Sequence, residues 1–425
     1  MNAPGLRGIC PGLSVPMPTG DGLLVRLRPT APIPPDALVG FCEAARRHGN
    51  GIIEISARGS LQVRGLTPRS APLFASAVAA LGIATHEGVP VIAGLDLMKH
   101  VNTADVAAKL RSAIANARLA LSPKISIVVD GGGQLHLDAL TADLRLRVAE
   151  PAQGPRFDEP RSHLGLGGDG ASATWLGSVA LEDVVGAVLG ILTIIAAYGP
   201  TARAAEVLRA DGVEAFRSVS AAVIEPSPAP PQRMPAEMIG VHSVRDGTVA
   251  IGIGLAFGHT HADALAEIVR LAAIRGAQAV WPAPDRALLL IGISASDALN
   301  LSAAAAQLGF VVSPDDPRRR IAACSGAPAC ASGLIPARAL ASALTPILEP
   351  VLKLERSGIF VHISGCPKGC AHPMPAALTL VGAPHGCGIV QHGSARMAPG
   401  HYVDPADLRD EILRIVTTSK EAAHG

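Results

Sequence analysis

The chain has 425 residues, 49% of them hydrophobic and only 3% aromatic, which gives material for two to four domains with aliphatic cores. A formal net charge of +1 excludes nucleic acid or an anionic membrane as the main partner. MNAPGLRGICPGL lacks the apolar centre of a signal peptide, and the longest apolar run, Val184 to Tyr198, is short for a bilayer span. With seven cysteines, an odd number, a disulfide framework is not expected, and the expected place is the reducing cytoplasm.

In chain order, GDGLLVRL (Gly20 to Leu27) reads as a strand. A helix follows from Pro35 to His48, then one strand through GIIEISARGSLQVRGL (Gly51 to Leu66). ISIVVDGGG (Ile125 to Gly133) is a buried strand closed by a glycine turn, with the strand LRLRV and the helix SVALEDVVGAVLGIL after it, and DGGGQLHL runs into a further strand. EPAQGPRFDEPRS (Glu150 to Ser162) reads as flexible, and EPSPAPPQRMP (Glu225 to Pro235) as a linker, because its prolines rule out helix and central strand. RDGTVAIGI, the helix from Asp263 to Gly276, and the strand pair AQAVWPAPDRALLLIGI then repeat the opening pattern. Gly49 matches Gly276 and Gly65 matches Gly292 at one offset of 227. IFVHISGCPKGC (Ile359 to Cys370), ALTLV and the helix DPADLRDEILRIV complete the second copy. Mixed strands, hairpins and helices indicate an α+β fold whose seam between copies suits a large ligand.

Four cysteines carry the chemistry: Cys324 and Cys330 as C-x5-C, then Cys366 and Cys370 as C-x3-C. Thiolate sulfur suits iron–sulfur clusters and zinc. Structural zinc pairs its cysteines at C-x2-4-C, so C-x5-C favours the cluster, with zinc and four unconnected core thiols as the other readings. Ser325, Gly326, Ala327 and Ala329 are small enough for backbone N–H groups to approach a cluster. Cys10, Cys42 and Cys387 lack partners at metal spacing and read as small buried hydrophobes. GIGLAFG (Gly252 to Gly258) departs from the dinucleotide spacing, so electrons are expected from an external donor or reductase.

The two cysteine pairs, 35 residues apart, resemble the cluster motif of the sulfite/nitrite reductase superfamily. That resemblance implies duplicated ferredoxin-like halves plus two reductase-type α/β halves about a pseudo-twofold axis. The expected units are 1–75 (first ferredoxin-like half), 76–224 (a reductase-type half without the cysteine motif), 236–300 (second ferredoxin-like half) and 301–425 (cluster half). It also implies a 4Fe-4S cluster on the four cysteines. ISARGSLQVRGL is similar to the superfamily's tetrapyrrole-binding strand, with Arg58 and Gln62 at matching places, and Lys124 in SPKISIVVDGGG falls at a basic position. Within the superfamily, CPGLSVPMPTGDGLLVRL is most similar to the precorrin-3B synthase family. This implies hydroxylation of precorrin-3A by dioxygen, with lactone formation, in aerobic cobalamin biosynthesis, and a mononuclear non-haem iron.

A polycarboxylate macrocycle needs several Arg and Lys, because bidentate guanidinium–carboxylate pairs fix its orientation. Arg26, Arg28, Arg58 and Arg64 are the candidates on strands, Arg58 and Arg64 sharing a face if their strand is regular, with Lys124 and Lys368 beyond them. His362 and His372 are the histidines nearest the cysteines in sequence, and no triad for the second iron stands out. A sirohaem-containing sulfite or nitrite reductase, and a non-catalytic tetrapyrrole- or metal-binding protein, are the alternative readings.

Overall fold

The computed structural model describes residues 11–95, 97, 102–148, 160–220, 223–353 and 358–424. The first ferredoxin-like half contains β1 (Met17–Thr19), β2 (Gly22–Leu27), α1 (Pro35–His48), β3 (Ile52–Ile55), β4 (Leu61–Leu66) and α2 (Ser70–Ala80). Proline at its start, Asp36 in its first turn and Arg46, Arg47 and His48 in its last turn favour α1. The helix buries Leu38, Phe41, Cys42 and Ala45, one stripe at helical spacing. The segment from Gly51 to Leu66, read as one strand, is a hairpin. Its turn, closed by Gly59 at φ 77°, carries Arg58, so Arg58 and Arg64 do not share a strand face.

The first reductase-type half follows with β5 (Val91–Ala93), α3 (Thr103–Ala117), β6 (Ile127–Asp130), β7 (Leu144–Val148), β8 (Arg161–Leu166), β9 (Thr174–Ala180), α4 (Val184–Ala197), α5 (Ala204–Asp211) and α6 (Glu214–Ser220). The Val184 run is the buried helix α4, and no helix among the described residues is long and apolar enough to cross a membrane. Residues 131–143 after DGGG form turns, not the strand expected there. The stretch read as flexible falls mostly outside the described residues, though Arg161 and Ser162 already belong to β8.

The second copy contains β10 (Gly240–Ser243), β11 (Val249–Gly254), β12 (His259–His261), α7 (Ala262–Ile274), β13 (Ala279–Ala283), β14 (Ala287–Ile293) and α8 (Ala298–Gln307). Its reductase-type half is β15 (Ile321–Ala323), α9 (Ala337–Leu352), β16 (Val361–Ser364), β17 (Ala376–Ala383), β18 (Gly386–Gly393), β19 (His401–Val403) and α10 (Leu408–His424). Helices α2 and α8 carry the two ferredoxin-like halves past residues 75 and 300.

The duplication is explicit in the pairing. Sheets β5-β6-β7-β8-β9 and β15-β16-β17-β18-β19 have the same order, two parallel ladders followed by two antiparallel ones. The ferredoxin-like halves exchange backbone bonds reciprocally: Thr260 on β12 pairs with Ile53, and Ile33 pairs with Val280. These four positions obey the offset of 227, as does the ion pair Glu43–Arg270, which places the local axis between α1 and α7. One aliphatic core runs through both ferredoxin-like halves, and each reductase-type half has its own. The proline-rich connection is pinned along the first reductase-type half, where Arg147 donates to the Pro231 carbonyl at 2.7 Å and a His136 ring nitrogen bonds the Met234 carbonyl at 2.8 Å.

Candidate functional site

Both cysteine pairs leave the carboxyl ends of neighbouring parallel strands, the place where open α/β sheets hold ligands. Ala323 on β15 pairs with Ile363 on β16, and the Cys324 N–H donates to the Ile363 carbonyl at 3.2 Å. The first loop is closed by Cys330 N–H to the Gly326 carbonyl (2.7 Å) and tied to the second by Leu334 N–H to the Gly365 carbonyl (2.7 Å). The Gly365 N–H donates to Cys324 Sγ at 3.0 Å. A Cβ at Gly365 would lie 3.0 Å from the Gly326 Cα and 3.4 Å from that sulfur, so glycine is required by close approach of the loops. Gly369, at φ 63°, lets the second loop turn back over the sheet.

The four thiols share one electrostatic environment. Burial pushes the Cys370 thiol above its ordinary value, and Cys366, Cys324 and Cys330 push it further, with Lys368 opposing. A thiol so placed resists ionisation until a metal compensates its charge. Among the described residues, no three of these sulfurs gather within 4.8 Å of one another. Tetrahedral zinc, with bonds of about 2.3 Å, holds its sulfurs about 3.8 Å apart. Two cysteine loops at adjacent strand ends, tied to each other by backbone bonds, could present their thiols to separate corners of a multi-iron cluster.

The cage rests on the first ferredoxin-like half. Gly20 N–H donates to the Ala329 carbonyl at 3.2 Å, and a Cβ on Gly20 would sit 2.4 Å from the Pro328 carbonyl oxygen. Gly20→Ala is therefore expected to push the first loop away, at least halving iron content and costing about 1–3 kcal/mol. Iron assay and a thermal melt test this, and wild-type values for both would contradict the packing.

A cavity of about 470 Å³ opens beside the same half. Arg26, Arg28, Arg58, Arg111, Lys124 and Arg203 face it with His86, and among the described residues no Asp or Glu lies on its wall. The second copy contributes Trp281, Pro282 and Pro284. Arg58 is held by the Thr141 carbonyl at 2.8 Å, and Arg203 by Asp143 through two bonds of 2.8 Å. Burial, then the charges of Arg111 and Arg28, lower the His86 pKa, which leaves it neutral at pH 7.

The remaining sequence candidates lie between cavity and cage, or over the cage. Gln62 is buried and off the cavity wall; its Oε1 accepts from Arg26 at 2.9 Å, and its Nε2 donates to Glu54 at 3.1 Å. Arg64, 5% exposed, also stands off the wall, paired with Asp21 at 3.1 Å and donating to the Ala329 carbonyl in the first cysteine loop. Lys368 is exposed above the second loop and donates to Ser332 at 2.7 Å. Sequence reading missed Glu54, Arg338, His86, Arg111 and Arg203; they come from separate elements and share no local motif.

The mononuclear iron finds no matching set among the described residues. Among the described residues one group of three carboxylate or imidazole ligands gathers, Asp130, His136 and Asp138, at the end of β6. Arg233 fills it, bonding Asp138 through two contacts of 2.8 Å and bonding Asp130 as well, with Arg145 at 3.6 Å and Arg147 at 3.7 Å. A cation already neutralises these carboxylates, so the group does not fit a metal. His362 is wholly buried with neither ring nitrogen bonded, and burial, then His372, lowers its pKa to about 4. No carboxylate accompanies this pair among the influences on His362.

The duplicated sheets with two cysteine loops on one copy define a protein of the nitrite and sulfite reductase fold class. Residues 15–81 match the nitrite/sulfite reductase ferredoxin-like half domain. The solved structure of the NirA protein of Mycobacterium tuberculosis shares the fold at a TM-score of 0.70 and 20% identity, over 93% of this chain and 80% of that one. The ferredoxin–nitrite reductase of Synechococcus elongatus is 26% identical over 86% of this chain and 77% of its own length. A precorrin-3B synthase of Sinorhizobium sp. is 37% identical over 96% of this chain and 88% of its own. The chain belongs to the precorrin-3B synthase family.

Proposed function

We propose that the chain is an oxygen-dependent precorrin-3B synthase with a 4Fe-4S cluster on Cys324, Cys330, Cys366 and Cys370. In the reaction one atom of dioxygen enters the ring of precorrin-3A and the other leaves as water, with two electrons from an external donor of the ferredoxin type. The observation that carries this reading is the cavity wall, cationic and, among the described residues, without a carboxylate, on the same half that packs against the cysteine loops. Arg26, Arg28, Arg58, Arg111 and Lys124 bind and orient the acetate and propionate groups of the macrocycle. Neutral His86 offers a hydrogen bond beside Arg28 and Arg111. The cluster, when bound, supplies single electrons. Its reducible centre and the reduced thiols suit a cytoplasmic enzyme.

The test is anaerobic purification with iron, sulfide and visible-spectrum analysis, then precorrin-3A, reductant and labelled dioxygen. One labelled oxygen in the product is expected. Intense sirohaem bands in the purified protein would point instead to a sulfite or nitrite reductase, and tight binding without turnover to a carrier. For Arg58→Ala, precorrin-3A affinity is expected to fall about tenfold, the loss of one charged hydrogen bond of roughly 1.5 kcal/mol, with iron content unchanged. Unchanged affinity would remove Arg58 from the binding set.

A further inference from the structure

One row of polar side chains crosses the first ferredoxin-like sheet on the face turned away from α1. Arg26 on β2 stands opposite Gln62 on β4, Gln62 opposite Glu54 on β3, and Glu54 opposite His259 on β12. Its first three members are bonded in turn. Arg26 gives two N–H groups to Gln62 Oε1, at 3.2 and 2.9 Å, and Gln62 Nε2 donates to Glu54 at 3.1 Å. Glu54 then accepts from Arg338 at 2.6 Å, and Arg64 stands 3.7 Å away. Arg338 belongs to α9, in the half that carries the cysteines, and Arg64 bonds the Ala329 carbonyl next to Cys330.

One end of the row faces the cavity and the other holds the cage. Its middle member is neutral. An amide oxygen is a weak partner for a guanidinium, and a ligand carboxylate is a strong one. A carboxylate arriving in the cavity therefore draws Arg26 off Gln62. The Gln62 amide loses its donor, and the balance of donors around buried Glu54 changes with it. Glu54 holds Arg338 and attracts Arg64, whose own bonds go to Asp21 and the Ala329 carbonyl, so the change reaches the backbone that wraps the cysteines.

We propose that the row Arg26–Gln62–Glu54–Arg338 couples occupation of the cavity to the redox state of the cysteine-bound cluster, with Gln62 and Glu54 as positioning residues. The proposal rests on the function proposed above and adds to it a reciprocal linkage: precorrin-3A binds with different affinity to oxidised and reduced protein. Such a linkage gates electron entry to the presence of substrate.

Gln62→Met separates coupling through bonds from charge acting across space. It keeps length and volume, removes no formal charge, and leaves Arg26, Glu54 and Arg338 in place. The experiment measures the anaerobic dissociation constant for precorrin-3A on oxidised and on dithionite-reduced protein, with iron and sulfide assayed in every sample. In the wild type, the two constants are expected to differ about fivefold or more, the usual lower range for coupled sites. In Gln62→Met, the ratio is expected to fall below about twofold. If Gln62→Met loses its iron, Glu54→Gln, which preserves the shape of the row, takes its place with the same expected collapse. A ratio that stays at the wild-type value in an iron-replete variant overturns the proposal. Equal affinities for the two states of the wild type overturn it while leaving the substrate assignment standing. No binding in either state overturns both.

Discussion

Cys366→Ser protein is expected to emerge from anaerobic purification with little iron or sulfide, and its oxygen-dependent turnover of precorrin-3A is expected to fall more than about 100-fold. Even outer partners of metal sites cost about 10- to 100-fold when removed, and a ligand costs more. Cys366 follows the N–H···S contact between Gly365 and Cys324 and precedes a proline, so its backbone has little freedom to offer the harder serine oxygen a substitute geometry. Cys387→Ser is the control. That thiol is fully buried in the core of the cluster half, where burial raises its pKa to about 11. The control is expected to lose stability but retain iron. Iron retained by Cys366→Ser with full activity would remove the cage from the mechanism.

Arg233→Leu is expected to destabilise the fold by about 3–5 kcal/mol at neutral pH, the usual cost of removing one partner from a buried ion-pair network. Asp130 is wholly buried and Asp138 nearly so, and Arg233 bridges both. Burial alone raises the Asp138 pKa. The hydrogen bonds and charge of Arg233, with Arg147 and His136, outweigh it and lower the pKa from 3.8. A carboxyl held below its unfolded value contributes stability that is complete above that value and is lost as the pH falls through the folded one. The gap between wild type and Arg233→Leu should thus be full near pH 7 and narrow in acid. Urea denaturation across that range measures it, and a gap that widens in acid would contradict the assignment.

The sequence made the two cysteine pairs and the duplication legible for different reasons. Cysteine spacing is local, and a loop of small residues leaves few alternatives for what C-x5-C and C-x3-C can hold. The offset of 227 was visible in glycines because backbone geometry selects them: Gly65 and Gly292 both take positive φ at matching points, and Gly276 does so after α7. The hairpin between β3 and β4 was not legible, because its turn lacks an Asn-Gly or Asp-Gly pair and its flanks alternate as one strand would. Gly59 was the available signal. The cavity resisted reading for another reason. Arg26, Arg28, Arg58 and Lys124 were candidates, but His86, Arg111 and Arg203 join them from three further stretches, and only the fold brings them together. Gln62 and Arg64 were visible as polar residues on a strand. Their neighbours Glu54 and Arg338, the latter 284 residues from Glu54, were not.

The reciprocal strand exchange has a consequence for synthesis. The edge of β3 is completed by β12, and α1 packs against α7, so the nascent chain exposes an open strand edge and an apolar helix face until about 200 more residues have emerged. At roughly 5–20 residues per second, that interval lasts on the order of 10–40 s. An isolated N-terminal fragment would keep that vulnerability permanently, which makes it a substrate for chaperones and an aggregation hazard rather than a usable half-enzyme.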